Sequence, residues 1–364
     1  MRKLSIFIPS LMGGGAERVI VILANEISQR GITVDLVLSR SFGPYLADVH
    51  PSVNIVDLRS KRLFFSIIPL VRYIQMEKPK VMLTALNTAN IIAIIARIVS
   101  RVKFKLVISE RAVTSVAIKD NPLIRSKLVP FLMRITYQRA DAIVAVSFGV
   151  LDDLINKFKI TSKNICVVYN PVVSSQLIKL SNEKFDHEWF DNEEVPVILS
   201  IGRLTSQKNF PMLINAFSLL LESHRARLVI LGKGELQEDL ENLVIKLNIR
   251  EKVSFPGFVT NPFMWMKNAS LFVLSSDYEG LPGTLIQAMA CGTPVVSTDC
   301  PSGPKEILEN GQWGRLVPMR DVESLSRAMA ATLDEEVHPD VARRAQYFDI
   351  NHGVEGYMKI LGLI

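Results

Sequence analysis

Two loops in the second half of the chain carry residue types suited to a phosphorylated ligand. The first has the letters GRLTSQKN and places Arg203 and Lys208 five residues apart. Arg offers a planar fork of donors that matches phosphate oxygens, and Lys offers a compact positive charge. The loop lies between a strand pattern and a helix pattern, so both cations can turn toward one anion. An equally open alternative is a pair of solvated surface cations.

The second loop begins at Glu279 and continues GLPGTLIQ into a predicted helix. Gly280 and Gly283 leave room for a ligand beside the backbone. A helix starting near Thr284 would offer unpaired N–H groups and the positive end of its dipole to an anion. Glu279 can accept hydrogen bonds from sugar hydroxyls. Thr284 and Gln287 also fit a capping box, which needs no ligand, and the two interpretations can coexist.

A glycine run at Gly13, Gly14 and Gly15 is a weaker signal. It lies between a predicted strand and helix, but the GxGxxG spacing is missing, which disfavours an NAD site. No Asp-x-Asp follows a strand, and the pair Asp152-Asp153 is predicted to be a solvated face of a helix. We therefore expect a ligand diphosphate to be neutralised by side-chain cations without a metal ion, and we expect no cofactor.

Short apolar runs alternate with helical patterns along the whole chain, which predicts an α/β fold with parallel sheets. A polar stretch at 173–194 interrupts the alternation and predicts a linker. The expected domains are therefore 1–172 and 195–347, with a helix at 348–364 packing back on the first. In such folds ligands bind at the carboxyl ends of strands, here in the cleft between the domains. Strands are predicted at residues 4–9, 32–38, 81–84, 106–109, 142–147, 167–171, 197–201, 228–231, 253–255, 271–275 and 295–297.

Composition limits the class of protein. The chain has 364 residues, 48% hydrophobic and 21% charged, enough for two folded domains. Its three cysteines show no CxxC pattern, which favours a reduced, cytoplasmic compartment. The apolar run at 91–99 is too short for a membrane span and contains Arg97. The N-terminal apolar run fits a buried first strand better than a signal peptide.

Positive charge is concentrated in the first half of the chain. Residues 1–180 hold 25 Lys and Arg against 11 Asp and Glu, whereas 181–364 hold 17 against 25. Cations are mixed with large apolar residues at 61–73 and 125–134, which favours contact with an anionic membrane surface. The alternative is a core-packing helix with a basic outer face. Nucleic-acid binding is disfavoured because no base-reading module is recognisable.

The segments GRLTSQKN, FPGFV, SSDYEGLPGTLIQAMACGTPVVSTDCPSGPKEIL and GRLVP resemble family-4 retaining glycosyltransferases. The resemblance implies the GT-B fold, two Rossmann-like domains facing across a cleft. GGGAER, ISER and CPSGPKEIL are most similar to bacterial enzymes that add a hexose or an N-acetylhexosamine, such as N-acetylgalactosamine, to polyprenyl-diphosphate glycans or polysaccharide units. Three features depart from the family pattern. The family's frequent histidine near the end of a middle strand of the first domain is missing, and Glu110 and Arg111 occupy that region. Gln287 stands where the family has a glutamate for the ribose, and Gly283 stands where Asn is frequent.

The resemblance implies a UDP-sugar donor, a polyprenyl-diphosphate-linked glycan acceptor and a peripheral position on the inner face of the cell membrane. Alternatives are a non-catalytic nucleotide-sugar-binding protein, motivated by Gln287, and a UDP-sugar epimerase of the same fold. The catalytic residues expected are Arg203, Lys208 and Glu279. The remaining site residues are, for the donor, Gly15, Phe258, Val259, Gly280, Leu281, Gly283, Thr284 and Gln287, and, for the acceptor, Gly13, Gly14, Lys61, Arg62, Glu110 and Arg111.

Overall fold

A computed structural model of the chain describes residues 3–118, 125–161, 164–190 and 194–364. For residues 125–128 it describes the backbone but not the side chains. The chain divides into two compact units. The first comprises Met1–Pro171 together with Ile350–Ile364, and the second comprises Val172–Asp349.

The first unit is a parallel sheet with helices. Its described strands follow the order β3-β2-β1-β4-β5-β6-β7. The inner strands are buried on both faces, as expected for a parallel sheet covered by helices. The strands are β1 (Lys3–Ile8), β2 (Thr33–Leu38), β3 (Val53–Asp57), β4 (Val81–Ala85), β5 (Lys105–Glu110), β6 (Ala142–Ala145) and β7 (Ile165–Val167). The helices are α1 (Gly15–Gln29), α2 (Ile67–Glu77), α3 (Asn87–Ser100), α4 (Thr114–Ala117), α5 (Arg125–Thr136), α6 (Phe148–Asn156) and α15 (Ile350–Leu361).

The second unit repeats this architecture with a parallel sheet in the order β10-β9-β8-β11-β12-β13 over its described residues. The strands are β8 (Val197–Ile201), β9 (Arg227–Leu231), β10 (Val253–Gly257), β11 (Leu271–Leu274), β12 (Val295–Thr298) and β13 (Arg315–Val317). The helices are α7 (Ser175–Ser181), α8 (Phe210–Leu220), α9 (Gln237–Lys246), α10 (Phe263–Asn268), α11 (Gly283–Ala290), α12 (Pro304–Ile307), α13 (Val322–Leu333) and α14 (Val341–Ala345).

Three sequence-based expectations need correction. The strand expected at 167–171 is β7, which ends at Val167. The stretch expected to be an irregular linker contains α7, whose first turn is capped by the Ser174 hydroxyl accepting from the Leu177 N–H at 3.0 Å. Asp153 is not solvated: its carboxylate is buried and accepts from the Ser115 N–H at 3.1 Å. Among the described residues, no helix combines the length and apolar character needed to cross a bilayer.

Candidate functional site

The two loops singled out by their chemistry lie side by side in the second unit. The GRLTSQKN loop follows β8, and the loop containing Glu279 follows β11. These two strands pair directly, with Ile198 opposite Leu271. Because parallel strands end at the same edge of the sheet, the loops emerge together where ligands of α/β folds usually bind.

An ion pair joins the two loops. Lys208 Nζ lies 2.6 Å from Glu279 Oε1, and the side chains are 16% and 9% exposed. The Ser276 hydroxyl donates to the same oxygen at 2.6 Å. Over the described part of the chain, Oε2 of Glu279 accepts no hydrogen bond. The pair therefore fixes the carboxylate and leaves one of its oxygens for a ligand hydroxyl.

The Lys208 stem passes over the backbone of Gly202. A Cβ atom added to Gly202 would lie 3.1 Å from Lys208 Cε, which is tighter than most real contacts. A glycine at this position therefore allows Lys208 to reach Glu279.

Arg203 differs from Lys208 in its surroundings. Its side chain is exposed and has no hydrogen bond or ion pair with any described residue. The structure thus brings Lys208 and Glu279 together and leaves the Arg203 guanidinium to solvent. The fork of donors on Arg203 is available to an anion without breaking an internal contact.

A second set of contacts, which the sequence analysis missed, locks the loops together. The Asn209 amide donates to Asp277 Oδ1 at 2.9 Å. Arg320 donates to Asp277 Oδ2 from both Nε and Nη2, at 3.0 and 2.7 Å. Asn209 is also the N-cap of α8, its side chain accepting from the Met212 N–H at 3.3 Å. An Asn two residues before Pro211 at a helix start is a recognisable N-cap signal, so this role could have been found.

The start of α11 is open. The helix begins at Gly283 with Pro282 at the N-cap, and no described side chain bonds to its first N–H groups. Thr284 is therefore inside the first turn, and the capping-box interpretation of Thr284 and Gln287 is wrong. The Gln287 side chain is half-buried and has no hydrogen-bond partner among the described residues. A Cβ on Gly283 would meet nothing within 4 Å, so open space lies beside this helix start.

The other expected donor residues of this unit lie at the same sheet edge. Gly280 is held by the Ser302 hydroxyl, which donates to its carbonyl at 2.7 Å, and Leu281 is buried. Phe258 and Val259 directly follow β10; Phe258 is 54% exposed, whereas Val259 is half-buried. Over the described residues, no group of three His, Cys, Asp or Glu side chains could hold a metal ion. Metal independence stays a prediction.

The expected acceptor residues lie in the first unit, as does Gly15. Gly13 follows β1 with a φ of +95°, a left-handed conformation that favours glycine. Gly14 is the N-cap of α1, which begins at Gly15 and has no side-chain cap. Lys61 and Arg62 are exposed ahead of α2.

Glu110 is deeply buried at the end of β5 and is 2% exposed. Its Oε1 accepts from Tyr137 and from the Asn90 amide at 2.9 Å, and its Oε2 accepts from Thr114 at 3.1 Å. Burial raises the pKa of this carboxyl to about 7, although the three hydrogen bonds lower the pKa and Asp153 raises it slightly. The expectation that Glu110 contacts a ligand does not fit these contacts, because its carboxylate is enclosed by internal partners.

Arg111, the next residue, is only partly buried. Its guanidinium donates to the Tyr357 hydroxyl, to Asn170 Oδ1 and to Ser109 Oγ at 3.0, 2.7 and 3.3 Å. Every one of these acceptors is neutral.

Comparison with known proteins gives a glycosyltransferase family for each half of the chain. Residues 13–176 match the family described as Glycosyltransferase Family 4, and residues 181–348 match Glycosyl transferases group 1. A similar curated protein is the N-acetylgalactosamine-N,N'-diacetylbacillosaminyl-diphospho-undecaprenol 4-alpha-N-acetylgalactosaminyltransferase of Campylobacter jejuni. It is 32% identical over 345 residues, covering 92% of this chain and 91% of that protein.

Solved structures share the fold over the full length. Sucrose-phosphate synthase from Thermosynechococcus elongatus matches with a TM-score of 0.82 at 15% identity, covering 100% of this chain and 99% of that chain. HepE of Anabaena, solved in complex with UDP-glucose, matches with a TM-score of 0.78 at 18% identity, covering 100% of both chains. These likenesses confirm the predicted fold class, two α/β domains of the GT-B type.

Proposed function

We propose, since the chain belongs to glycosyltransferase family 4, that it transfers a hexose or an N-acetylhexosamine from a UDP-sugar to a lipid-linked glycan. The anomeric configuration of the sugar is retained. The acceptor is a glycan on polyprenyl diphosphate, and the product extends a surface polysaccharide or glycan. The observation that carries the proposal is the Lys208–Glu279 pair, which lies beside the partner-free Arg203 and the open start of α11.

The chemistry follows from the charges of this site. Transfer breaks the bond between the anomeric carbon and the diphosphate oxygen, and the leaving UDP gains negative charge. Arg203, Lys208 and the N–H groups at the start of α11 stabilise that charge as it develops. The free oxygen of Glu279 accepts a hydrogen bond from the transferred sugar, and Gln287 accepts one from the ribose.

The choice of acceptor rests on the Campylobacter jejuni relative, whose name specifies a glycan on diphospho-undecaprenol. Arg111, Lys61 and Arg62 are cations of the first unit without a carboxylate partner among the described residues, which suits an anionic acceptor. Glu110 supports this region from within through Asn90, Tyr137 and Thr114 and is not a ligand-contacting residue in this proposal.

A lipid-linked acceptor requires the enzyme to work at a membrane, and one face of the first unit suits that task. Helix α3 packs against both α2 and α5, so the three helices are neighbours. Together with the turn before α2 they expose large apolar side chains among cations, a pattern typical of an interfacial surface. We define this three-helix face by the exposed apolar residues Phe64, Phe65, Ile68, Ile98, Val99, Phe131 and Ile135 and the exposed cations Lys61, Arg62, Arg72 and Arg134.

A donor panel tests the proposed function. UDP- and GDP-sugars are incubated with the protein and a short-chain polyprenyl-diphosphate glycan, and nucleoside diphosphate release and product mass are followed. We expect release with a UDP-hexose or UDP-N-acetylhexosamine and a glycan one sugar longer. Turnover of a UDP-sugar into its epimer without any acceptor would contradict the proposal.

A further inference from the structure

The C-terminal helix α15 is built into the first unit although 178 residues of the second unit separate it from Pro171. Its buried residues Val354, Tyr357 and Met358 join the core formed by α1 and the strands β1, β2 and β4. Two glycines allow the close approach. A Cβ on Gly353 would lie 2.8 Å from Pro171 N, and one on Gly356 would lie 2.8 Å from Val168 Cγ1.

Tyr357 belongs to this apolar core but carries one polar atom, its hydroxyl oxygen. The residue is 0% exposed. Its hydroxyl lies 3.1 Å from Ser109 Oγ and accepts from Arg111 Nη1 at 3.0 Å. The hydroxyl therefore reaches the carboxyl end of β5, the sheet edge at which α/β folds bind ligands.

Arg111 is held in place by neutral atoms only. The guanidinium makes three hydrogen bonds of the five that Arg can donate, so Nε and one Nη2 hydrogen have no partner over the described part of the chain. Two other partly buried arginines have a carboxylate partner: Arg97 pairs with Asp141, and Arg344 pairs with Glu309. A positive charge that its described neighbours hold in position without an ion pair is the arrangement expected of an anion receptor.

We propose that Tyr357 is a positioning residue that orients Arg111 to bind a phosphate group of the diphosphate acceptor, so that the C-terminal helix completes the acceptor site. The proposal rests on the proposed function and specifies which part of the acceptor this site recognises. Asn170 holds the other Nη atom of Arg111 and shares the positioning role.

The test compares two acceptors carrying the same glycan, one as a short-chain lipid diphosphate and one as an uncharged methyl glycoside, in the absence of membranes. Excluding membranes removes lipid headgroups as a second source of phosphate. In wild type the diphosphate acceptor should have the lower KM. Tyr357→Phe should raise the KM for the diphosphate acceptor about tenfold and leave kcat and the KM for the glycoside and the donor unchanged.

Three further variants separate positioning from stability. Asn170→Ala should reproduce the effect of Tyr357→Phe, and Arg111→Ala should abolish the preference for the diphosphate. Tyr73→Phe is the matched control, because it removes another buried tyrosine hydroxyl of the same unit, which lies 2.7 Å from Ser5 Oγ. It should leave the acceptor preference unchanged.

Several results would overturn the inference. One is an equal loss of activity toward both acceptors in Tyr357→Phe at an unchanged Tm. Another is an unchanged KM for the diphosphate in both Tyr357→Phe and Asn170→Ala. A wild-type protein that used neither acceptor would contradict the proposed function itself, and the inference with it.

Discussion

At the residue scale, the proposed donor site contains two cations that differ in their contacts. Lys208 is paired with Glu279, whereas the Arg203 side chain makes no hydrogen bond or ion pair with any described residue. Arg203→Ala should therefore lower turnover about 10²-fold, by loss of a charge-assisted contact to the leaving diphosphate, with no change in Tm. Arg203→Lys should also be poor because the planar fork is lost. Steady-state kinetics and thermal melts of the same preparations check both effects.

Lys208→Ala should lower turnover to a similar extent and also lower Tm. Removing Lys208 leaves the Glu279 carboxylate, which is 9% exposed, with only the Ser276 hydroxyl as partner. Near-normal turnover in either alanine variant would contradict the assignment of the diphosphate site.

The role of Gln287 distinguishes an active enzyme from a non-catalytic nucleotide-sugar-binding protein of the same fold. If its amide oxygen accepts from the donor ribose, Gln287→Glu should preserve or strengthen UDP binding, since a carboxylate is the stronger acceptor. Gln287→Ala should weaken UDP binding by about 1–2 kcal/mol, the usual cost of one polar contact. Titration calorimetry with UDP measures both variants. Equal UDP affinity in wild type and Gln287→Ala would remove this residue from the site.

At the scale of elements, Glu110 joins β5 to α3 and to the turn after α5 through Asn90 and Tyr137. Its carboxyl has a pKa raised from 4.5 to about 7, so it binds its proton more tightly in the folded state. The protonated carboxyl therefore contributes its whole share to the free energy of unfolding below pH 4.5, and this share is lost as the pH rises to about 7. The loss is about 3 kcal/mol.

Glu110→Gln should remove this pH dependence. The amide oxygen can keep the bonds from Asn90 and Tyr137, and the amide N–H₂ can donate to Thr114 Oγ1, whose hydroxyl already lies 3.4 Å from the Ala112 carbonyl. The variant should gain stability relative to wild type between pH 5 and pH 8, measured as the difference in Tm. Asp152→Asn, on the exposed face of α6, is the control. A constant difference in Tm over this range would contradict the account of Glu110.

The sequence predicted most elements because the inner strands are short apolar runs bounded by polar turns. The sequence-based predictions were wrong where tertiary contacts determine the end of an element or the burial of a side chain. β7 has only three half-buried residues, so its apolar letters do not mark its end. Asp153 is buried because α4 supplies the Ser115 N–H, which local spacing cannot indicate. In the candidate site, the sequence indicated Lys208 and Glu279 as functional residues but not their pairing, because they lie 71 positions apart. The pairing of Arg320 with Asp277, which lie 43 positions apart, was not predicted either.

At the scale of the whole molecule, the excess of positive charge in the first half of the chain predicts binding to an anionic membrane surface. The three-helix face should bind vesicles containing anionic lipids and release them above a few hundred millimolar salt, since the attraction is screened over about 8–10 Å. Lys61→Glu with Arg62→Glu should weaken co-sedimentation without changing Tm. Lys157→Glu with Lys159→Glu, exposed cations elsewhere in the first unit, should not. Equal binding to neutral and anionic vesicles would contradict this role. Arg125 and Lys127, which the sequence also suggests for this surface, lie outside the described side chains.

The other proposals depend on sugar transfer from a UDP-sugar to a lipid-linked glycan, with the charge of the leaving diphosphate neutralised by Arg203, Lys208 and the start of α11. The most direct measurement is transfer of labelled N-acetylhexosamine from its UDP derivative to a polyprenyl-diphosphate glycan in excess EDTA, with the product resolved by mass and anomeric configuration. We expect a glycan one sugar longer, with the donor's configuration retained and a rate that EDTA does not reduce. Activity lost in EDTA and restored by Mn²⁺, or a product of inverted configuration, would contradict it.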